Sequence, residues 1–222
     1  MEKTQVLERI KSIGIIPVVR ASSGGAAVKA IEAIKAGGLP IVEITMTVPG
    51  AVRVIEKIAE RYGDEVLVGA GTVLNAETAR ECLRAGAQFI VSPALDLETI
   101  DYCRKEGVAV FPGALTPTEI VRAWSAGADF VKVFPCGAMG GASYIRSLKA
   151  PLPQIDLIPT GGVSLANAAS FIQAGAVALG VGADLVDLKA IQAGQAAKIT
   201  EATRAYIEAV RTARAGMSTV KG

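Results

Sequence analysis

The sequence predicts an α/β protein, a (β/α)8 barrel with an additional N-terminal helix, in a single domain over residues 1–222. Three observations carry this reading. Apolar, strand-like runs alternate with helical patterns along the chain. Several of these runs are nearly continuous in apolar residues, as parallel strands buried on both faces are. Glycines close the helical patterns at Gly37, Gly63, Gly86, Gly107, Gly127 and Gly175, where a left-handed residue is the usual stop. Eight strand–helix units in 222 residues lie near the lower end of the size range of such barrels. A doubly wound open sheet is the structural alternative, but no GxGxxG follows the first strand to support it.

Taken in order, residues 4–13 form an extra helix placed to cover the barrel floor. Strands are predicted at 15–20, 41–46, 66–72, 89–93, 109–113, 130–134, 157–160 and 176–180. Asn75, Asp96 and Ser164 are placed to cap helices. Thr116-Pro117-Thr118-Glu119 is a capping box with proline at the first helical position. Residues 188–213 carry a stripe of Ile191, Ile199, Tyr206 and Val210 and read as the last and longest helix. Residues 213–222 read as a frayed or appended tail. The glycine-rich loop 136–142 reads either as a mobile connector or as a loop that closes over substrate.

Composition removes several function classes. The net charge is +2, with no long Lys/Arg run, so no nucleic-acid partner is expected. No run of 18 apolar residues exists, so no membrane span is expected. The opening MEKTQVLERIKS has no apolar core of a secretory leader, and a cytoplasmic location is expected. There is no histidine, which removes Ser-His and Cys-His nucleophiles and the commonest zinc ligand. The three cysteines are widely spaced and odd in number, so they read as free thiols. Cys82 and Cys103 fall in helical patterns and suit core packing. Cys136 lies near the strand ends, without a partner for thiolate chemistry.

In a barrel of this kind, chemistry gathers at the C-terminal ends of the strands. Those ends supply Arg20, Glu43 to Thr47, Thr72, Ser92-Pro93, Pro112-Gly113, Lys132 to Phe134, Thr160-Gly161-Gly162 and Gly180-Val181-Gly182. Lys132 stands in the middle of an apolar strand. Either its head snorkels to water, or it is an amine kept dry for nucleophilic attack on a carbonyl. Strand alternation puts Val42, Ile44 and Met46 on the helix side and turns Glu43, Thr45 and Thr47 inward. Lys132 turns inward with Phe130 and Phe134. Inside one narrow barrel the carboxyl and the amine are expected to meet. They form either a structural ion pair or a nucleophile with its proton shuttle.

The turns Thr160-Gly161-Gly162-Val163-Ser164 and Gly180-Val181-Gly182-Ala183-Asp184 follow the last two strands. Turns without side chains expose backbone N–H groups, and these two loops are where barrels commonly hold phosphate. Glycine pairs also serve tight turns. Arg20 is either a rim charge or an anion ligand. Thr72 is either a structural hydroxyl or a substrate contact.

Seven spaced motifs then occur together: Ile15-Ile16-Pro17-Val18-Val19-Arg20, Val42-Glu43-Ile44-Thr45, Gly69-Ala70-Gly71-Thr72-Val73, Phe89-Ile90-Val91-Ser92-Pro93, Phe111-Pro112-Gly113, Val131-Lys132-Val133-Phe134-Pro135 and Pro159-Thr160-Gly161-Gly162-Val163. Over about residues 10–187 the chain resembles the bacterial 2-keto-3-deoxy-6-phosphogluconate (KDPG) aldolases, including those that also cleave 4-hydroxy-2-oxoglutarate (KHG). The resemblance implies a class I aldolase, a homotrimer, with no metal and no cofactor, acting on a small 2-keto acid such as a phosphorylated sugar acid and releasing pyruvate. It puts Lys132 on the Schiff-base lysine and Glu43 on the general acid/base. Arg20, Thr72, Pro93, Phe134 and Thr160 fall on the pyruvate end, and Gly161, Gly162, Gly182 and Ala183 on the phosphate end. Two positions depart from the family pattern. Many members have arginine where Thr47 stands, and many have serine where Ala183 stands. A non-covalent phosphosugar isomerase or synthase would keep the glycine turns without needing Lys132. A non-catalytic oligomeric scaffold would need neither.

Overall fold

The computed structural model describes residues 1–218. Its strands are β1 (Ile15–Val19), β2 (Ile41–Thr45), β3 (Leu67–Gly71), β4 (Phe89–Val91), β5 (Ala109–Phe111), β6 (Gly113–Ala114), β7 (Val131–Val133), β8 (Leu157–Pro159) and β9 (Leu179–Val181). All pairings are parallel. One sheet runs β5-β4-β3-β2-β1-β9 and the other β6-β7-β8. Only Pro112 stands between β5 and β6. The amide of Asp129 donates to Val110 O and that of Lys132 to Pro112 O, which ties β7 to this run. On the other flank Val177 N donates to Leu157 O, and Thr160 bridges Gly180. The result is an α/β fold built on a curled parallel sheet.

The fifth predicted strand, 109–113, is split because proline has no N–H to give to a ladder. The eighth, 176–180, starts later, at Leu179. The Ala176 amide is taken by Phe171 O and so finishes the preceding helix, α8 (Ala168–Gln173).

Alternation sorts the side chains as the sequence requires. Val42, Ile44, Val68, Ala70, Val131 and Val133 pack in the large cluster between sheet and helices. Ile16, Ile41, Leu67, Phe89, Phe111, Phe130 and Ile158 form a second cluster on the concave side. Phe89, Phe111 and Phe130 make a ladder of rings, with centroids 5.5 and 4.9 Å apart. Val6 and Ile10 of α1 (Lys3–Ile13) belong to this inner cluster, so α1 closes the N-terminal end of the curl. The dry aromatic floor forces polar side chains on the same face toward the opposite end.

Most helix signals hold. Asn75 accepts from Thr78 N, and Asp96 from Thr99 N. The Thr116–Glu119 capping box opens α6 (Pro117–Ser125). Ser164 caps no helix. It starts a separate turn held by Ser164 N donating to Asn167 Oδ1, and α8 begins only at Ala168. Gly37 keeps right-handed geometry, and Gly38 takes the left-handed stop at φ 101°. Gly37 is needed for another reason: a Cβ there would stand 2.5 Å from Thr203 Cβ.

The long helix expected over 188–213 is two helices, α9 (Leu188–Gln192) and α10 (Ala197–Ser218). Gly194 at φ 71° breaks the pattern between them. The apolar stripe continued across this break, which is why periodicity alone merged the two. Helix α10 continues through the start of the expected tail, and residues 219–222 lie outside the described residues.

Candidate active site

The site is organised by two strands on opposite sides of the curl. In β2 the inward residue after Ile41 is Glu43, and in β7 it is Lys132. Both side chains are 3% exposed, and Lys132 Nζ lies 3.8 Å from Glu43 Oε1. Glu43 Oε1 is buried without a hydrogen-bond partner. A carboxylate oxygen left in that state is costly unless a ligand or a proton is to use it. The ammonium position also lies 5.4 Å from the centre of the Phe134 ring. Lys132 therefore does not snorkel. It is held inside the curl between a carboxyl and an aromatic face.

Backbone without side chains makes the room. The partner of Glu43 in β3 is Gly69, and the next inward position is Gly71. A Cβ on Gly71 would lie 2.0 Å from Glu43 Oε1. Beside Lys132 the paired residue is Gly113, and a Cβ there would lie 2.2 Å from the backbone of Pro93. Pro93 is thereby brought against the strand that neighbours Lys132. Thr72, just beyond β3, has φ 57°. A β-branched residue rarely adopts that conformation, and such outliers concentrate at functional sites.

The two glycine turns meet at the next edge. Gly161 and Gly162 both have φ 80°. The amides of Gly162 and Ala183 donate to no protein acceptor among the described residues. Asp184 ties the turns together, because its Oδ2 accepts from Leu165 N and, at 2.5 Å, from Tyr206 OH. Burial, and secondarily this bond, push the Tyr206 hydroxyl well above the usual tyrosine range. Thr160 is buried and presses its Oγ1 against Gly180, where a Cβ would lie 2.1 Å away. Arg20 is exposed and makes no salt bridge among the described residues. Its Nη1 lies 3.5 Å from the Cβ position of Gly182. It also lines a cleft of about 390 Å³ with Ala183, Asp187 and Lys189. A free guanidinium and free amides on adjoining turns suit an anion.

The loop after β7 is anchored at its base. Cys136 N donates to Thr160 O, and Gly137 N to Gly161 O. Gly137 packs so tightly that a Cβ would lie 2.9 Å from Gly162 Cα. Burial pushes the Cys136 thiol up to about 11, which keeps it protonated and chemically quiet at neutral pH.

Comparison with known proteins agrees with this geometry. The family model described as "KDPG and KHG aldolase" matches residues 6–202. The chain belongs to this family. It is therefore an aldolase, a carbon–carbon lyase. It is 37% identical over 201 residues to the 2-dehydro-3-deoxy-6-phosphogalactonate aldolase of Escherichia coli K12, covering 90% of this chain and 95% of that one. It is 33% identical over 205 residues to the 2-dehydro-3-deoxy-phosphogluconate aldolase of Treponema pallidum, covering 92% and 97%. Among solved structures, the KDPG aldolase of Legionella pneumophila, with pyruvate captured as a covalent carbinolamine, superposes with a TM-score of 0.84. That pair is 28% identical, with 91% of this chain and 98% of that one covered.

Sequence reasoning missed Gly71 and Gly137 as site residues and named Gly113 only as a strand end; the role of all three is an absence of atoms. It also assigned no role to Thr45, which lies inward of Thr47. The signal for Gly71 was present in the Gly-Ala-Gly pattern beside an inward glutamate, but only the pairing register shows which glycine faces it.

Proposed function

We propose that the chain is a class I aldolase in which Lys132 forms a Schiff base with a 2-keto acid and Glu43 moves the protons. It cleaves KDPG to pyruvate and glyceraldehyde 3-phosphate, or 4-hydroxy-2-oxoglutarate to pyruvate and glyoxylate. The observation that carries this reading is the buried Lys132–Glu43 contact at 3.8 Å with an unsatisfied carboxylate oxygen. A buried ion pair is a weak device for stability, and a non-covalent isomerase would leave this one without a use.

The chemistry follows from the geometry. Neutral Lys132 attacks C2 of the substrate, and the carbonyl oxygen takes a proton to give a carbinolamine. Loss of water leaves a protonated imine. Glu43 then takes the proton of the C4 hydroxyl. The C3–C4 bond breaks, its electron pair passes into the imine, and the aldehyde leaves. The remaining enamine takes a proton at C3, and water hydrolyses the imine to release pyruvate and free the lysine. Thr72, Pro93, Phe134 and Thr160 surround the pyruvate half. Gly161, Gly162, Gly182 and Ala183 hold the distal anion, and Thr47 stands at the mouth. Arg20, which the resemblance put at the pyruvate end, is reassigned to the distal anion because its Nη1 lies 3.5 Å from the Cβ position of Gly182.

Several finer features complete the proposal. The two strand groups are one closed (β/α)8 barrel, and residues 1–222 are one domain. Bonds across both flanks of the curl support this reading. The protein acts as a homotrimer, and exposed Leu97, Val121 and Trp124 supply apolar surface for such contacts. It works in the cytoplasm, which fits the lack of any helix long and apolar enough to cross a membrane among the described residues.

Incubation with pyruvate and borohydride, followed by peptide mass spectrometry, tests the core of the reading. The expected result is one adduct, on Lys132. No adduct, together with lyase activity surviving Lys132→Ala, would overturn it.

A further inference from the structure

Thr45 and Thr47 form a hydroxyl pair whose polarity is fixed by the backbone. The Thr45 hydroxyl donates to Val19 O at 3.1 Å. A threonine has one proton to give, so Thr45 has spent its own. Thr45 Oγ1 also lies 2.6 Å from Thr47 Oγ1, a separation that requires a proton between the two oxygens. Only Thr47 can supply it. The arrangement is held firmly, because Thr45 is fully buried and sits opposite Gly71 in the ladder. Thr47 is exposed in the turn just beyond the end of β2, and the contact between the two hydroxyls holds it beside Thr45, which alternation puts on the face of Glu43.

We propose that Thr47 faces the substrate as a hydrogen-bond acceptor only, and that it selects 2-keto acids bearing a hydroxyl at the fifth carbon over those bearing a carboxylate there. The proposal rests on the aldolase reading above. Lys132 and Glu43 fix the second and fourth carbons, so a residue in the turn beyond the C-terminal end of Glu43's strand, held against Thr45, meets the chain beyond the bond that breaks. A hydroxyl there can donate to the free lone pair of Thr47. A carboxylate oxygen cannot, and two acceptors left facing each other without a proton are unfavourable. Thr45 acts only as a positioning residue, by fixing which way the Thr47 proton points.

The test measures KM and kcat for KDPG, which has a C5 hydroxyl, and for 4-hydroxy-2-oxoglutarate, which has a C5 carboxylate. Thr47→Val is expected to raise KM for KDPG about fivefold or more, the effect of one neutral hydrogen bond, without raising it for 4-hydroxy-2-oxoglutarate. Thr45→Val releases the Thr47 proton, so KM for 4-hydroxy-2-oxoglutarate should fall. Thr45→Ser, which keeps the donor, should retain the wild-type ratio. An unchanged KM ratio in Thr47→Val, or a Thr45→Val variant that matches Thr45→Ser, overturns the proposal. Thr47 is exposed, so its variant is informative even if Thr45→Val does not fold. Pyruvate trapping on the wild-type protein separates the two failures: no adduct on Lys132 defeats the aldolase reading, whereas an adduct with an unchanged ratio defeats only the role of Thr47.

Discussion

Gly71 and Glu43 share a space that holds only one side chain: a Cβ on Gly71 would lie 2.0 Å from Glu43 Oε1. Glycine at the end of β3 thus sets where the carboxylate sits. Gly71→Ala must push Glu43 aside by more than an ångström, and misplacement on that scale costs on the order of 100-fold in rate. The expected result is a kcat lowered about 100-fold, with the pyruvate adduct on Lys132 still forming, only more slowly. Wild-type kcat in Gly71→Ala would show that Glu43 does not need this position.

The Lys132–Glu43 contact makes a second prediction, about stability. Lys132→Met alone leaves Glu43 buried without a cation and should lower stability by about 3 kcal/mol. Adding Glu43→Leu removes the stranded carboxylate. The double variant should melt at least as high as the wild type while having no lyase activity. A double variant less stable than Lys132→Met would mean that the pair is kept for folding rather than for chemistry.

How much of this was legible in the sequence depends on the kind of signal. Periodicity turned Glu43 and Lys132 inward and put them at one end of their strands, because side-chain alternation is a local property of a strand. The capping residues Asn75, Asp96 and Thr116 were equally local. The split at Pro112 and the helix break at Gly194 were missed, since the apolar pattern runs straight through both. The hydroxyl pair of Thr45 and Thr47 depends on where Val19 O sits in the neighbouring strand. No spacing along β2 reports that.

Thr72 tests whether strain is stored at the site. Its φ of 57° is disfavoured for a residue with a Cβ and neutral for glycine. Thr72→Gly should be more stable than Thr72→Ala by about 1 kcal/mol, after allowing for the greater freedom of unfolded glycine. Both should raise KM for pyruvate-forming substrates if the hydroxyl touches them. Equal stabilities, measured by urea unfolding, would show that the loop relaxes and holds no strain.

Arg20 has no acidic partner among the described residues and reaches toward the Gly182 turn. If it holds the distal anion, Arg20→Ala should raise KM for a phosphorylated substrate tenfold or more, as loss of a charge-assisted hydrogen bond does. The kcat should change little, since the group is remote from the bond that breaks. An unchanged KM would remove Arg20 from the binding set.

The three thiols predict how the fold fails in alkali. Burial, as the largest cause in each case, pushes Cys82 and Cys103 up to about 12 and Cys136 up to about 11. Their ordinary value is 9.0, so the unfolded chain loses these protons first. A group with a raised native pKa contributes stability that is fully present below the unfolded value and is lost as pH rises through the native one. Tyr144 and Tyr206 are raised as well, chiefly by burial, and act in the same direction at higher pH. The melting temperature should therefore be level from neutral pH to about 9 and then fall between about 9 and 12. Replacing Cys82, Cys103 and Cys136 with alanine should flatten that fall, even if it lowers the neutral-pH melting temperature by leaving small cavities. An equally steep alkaline limb in the triple variant would assign the loss to other groups.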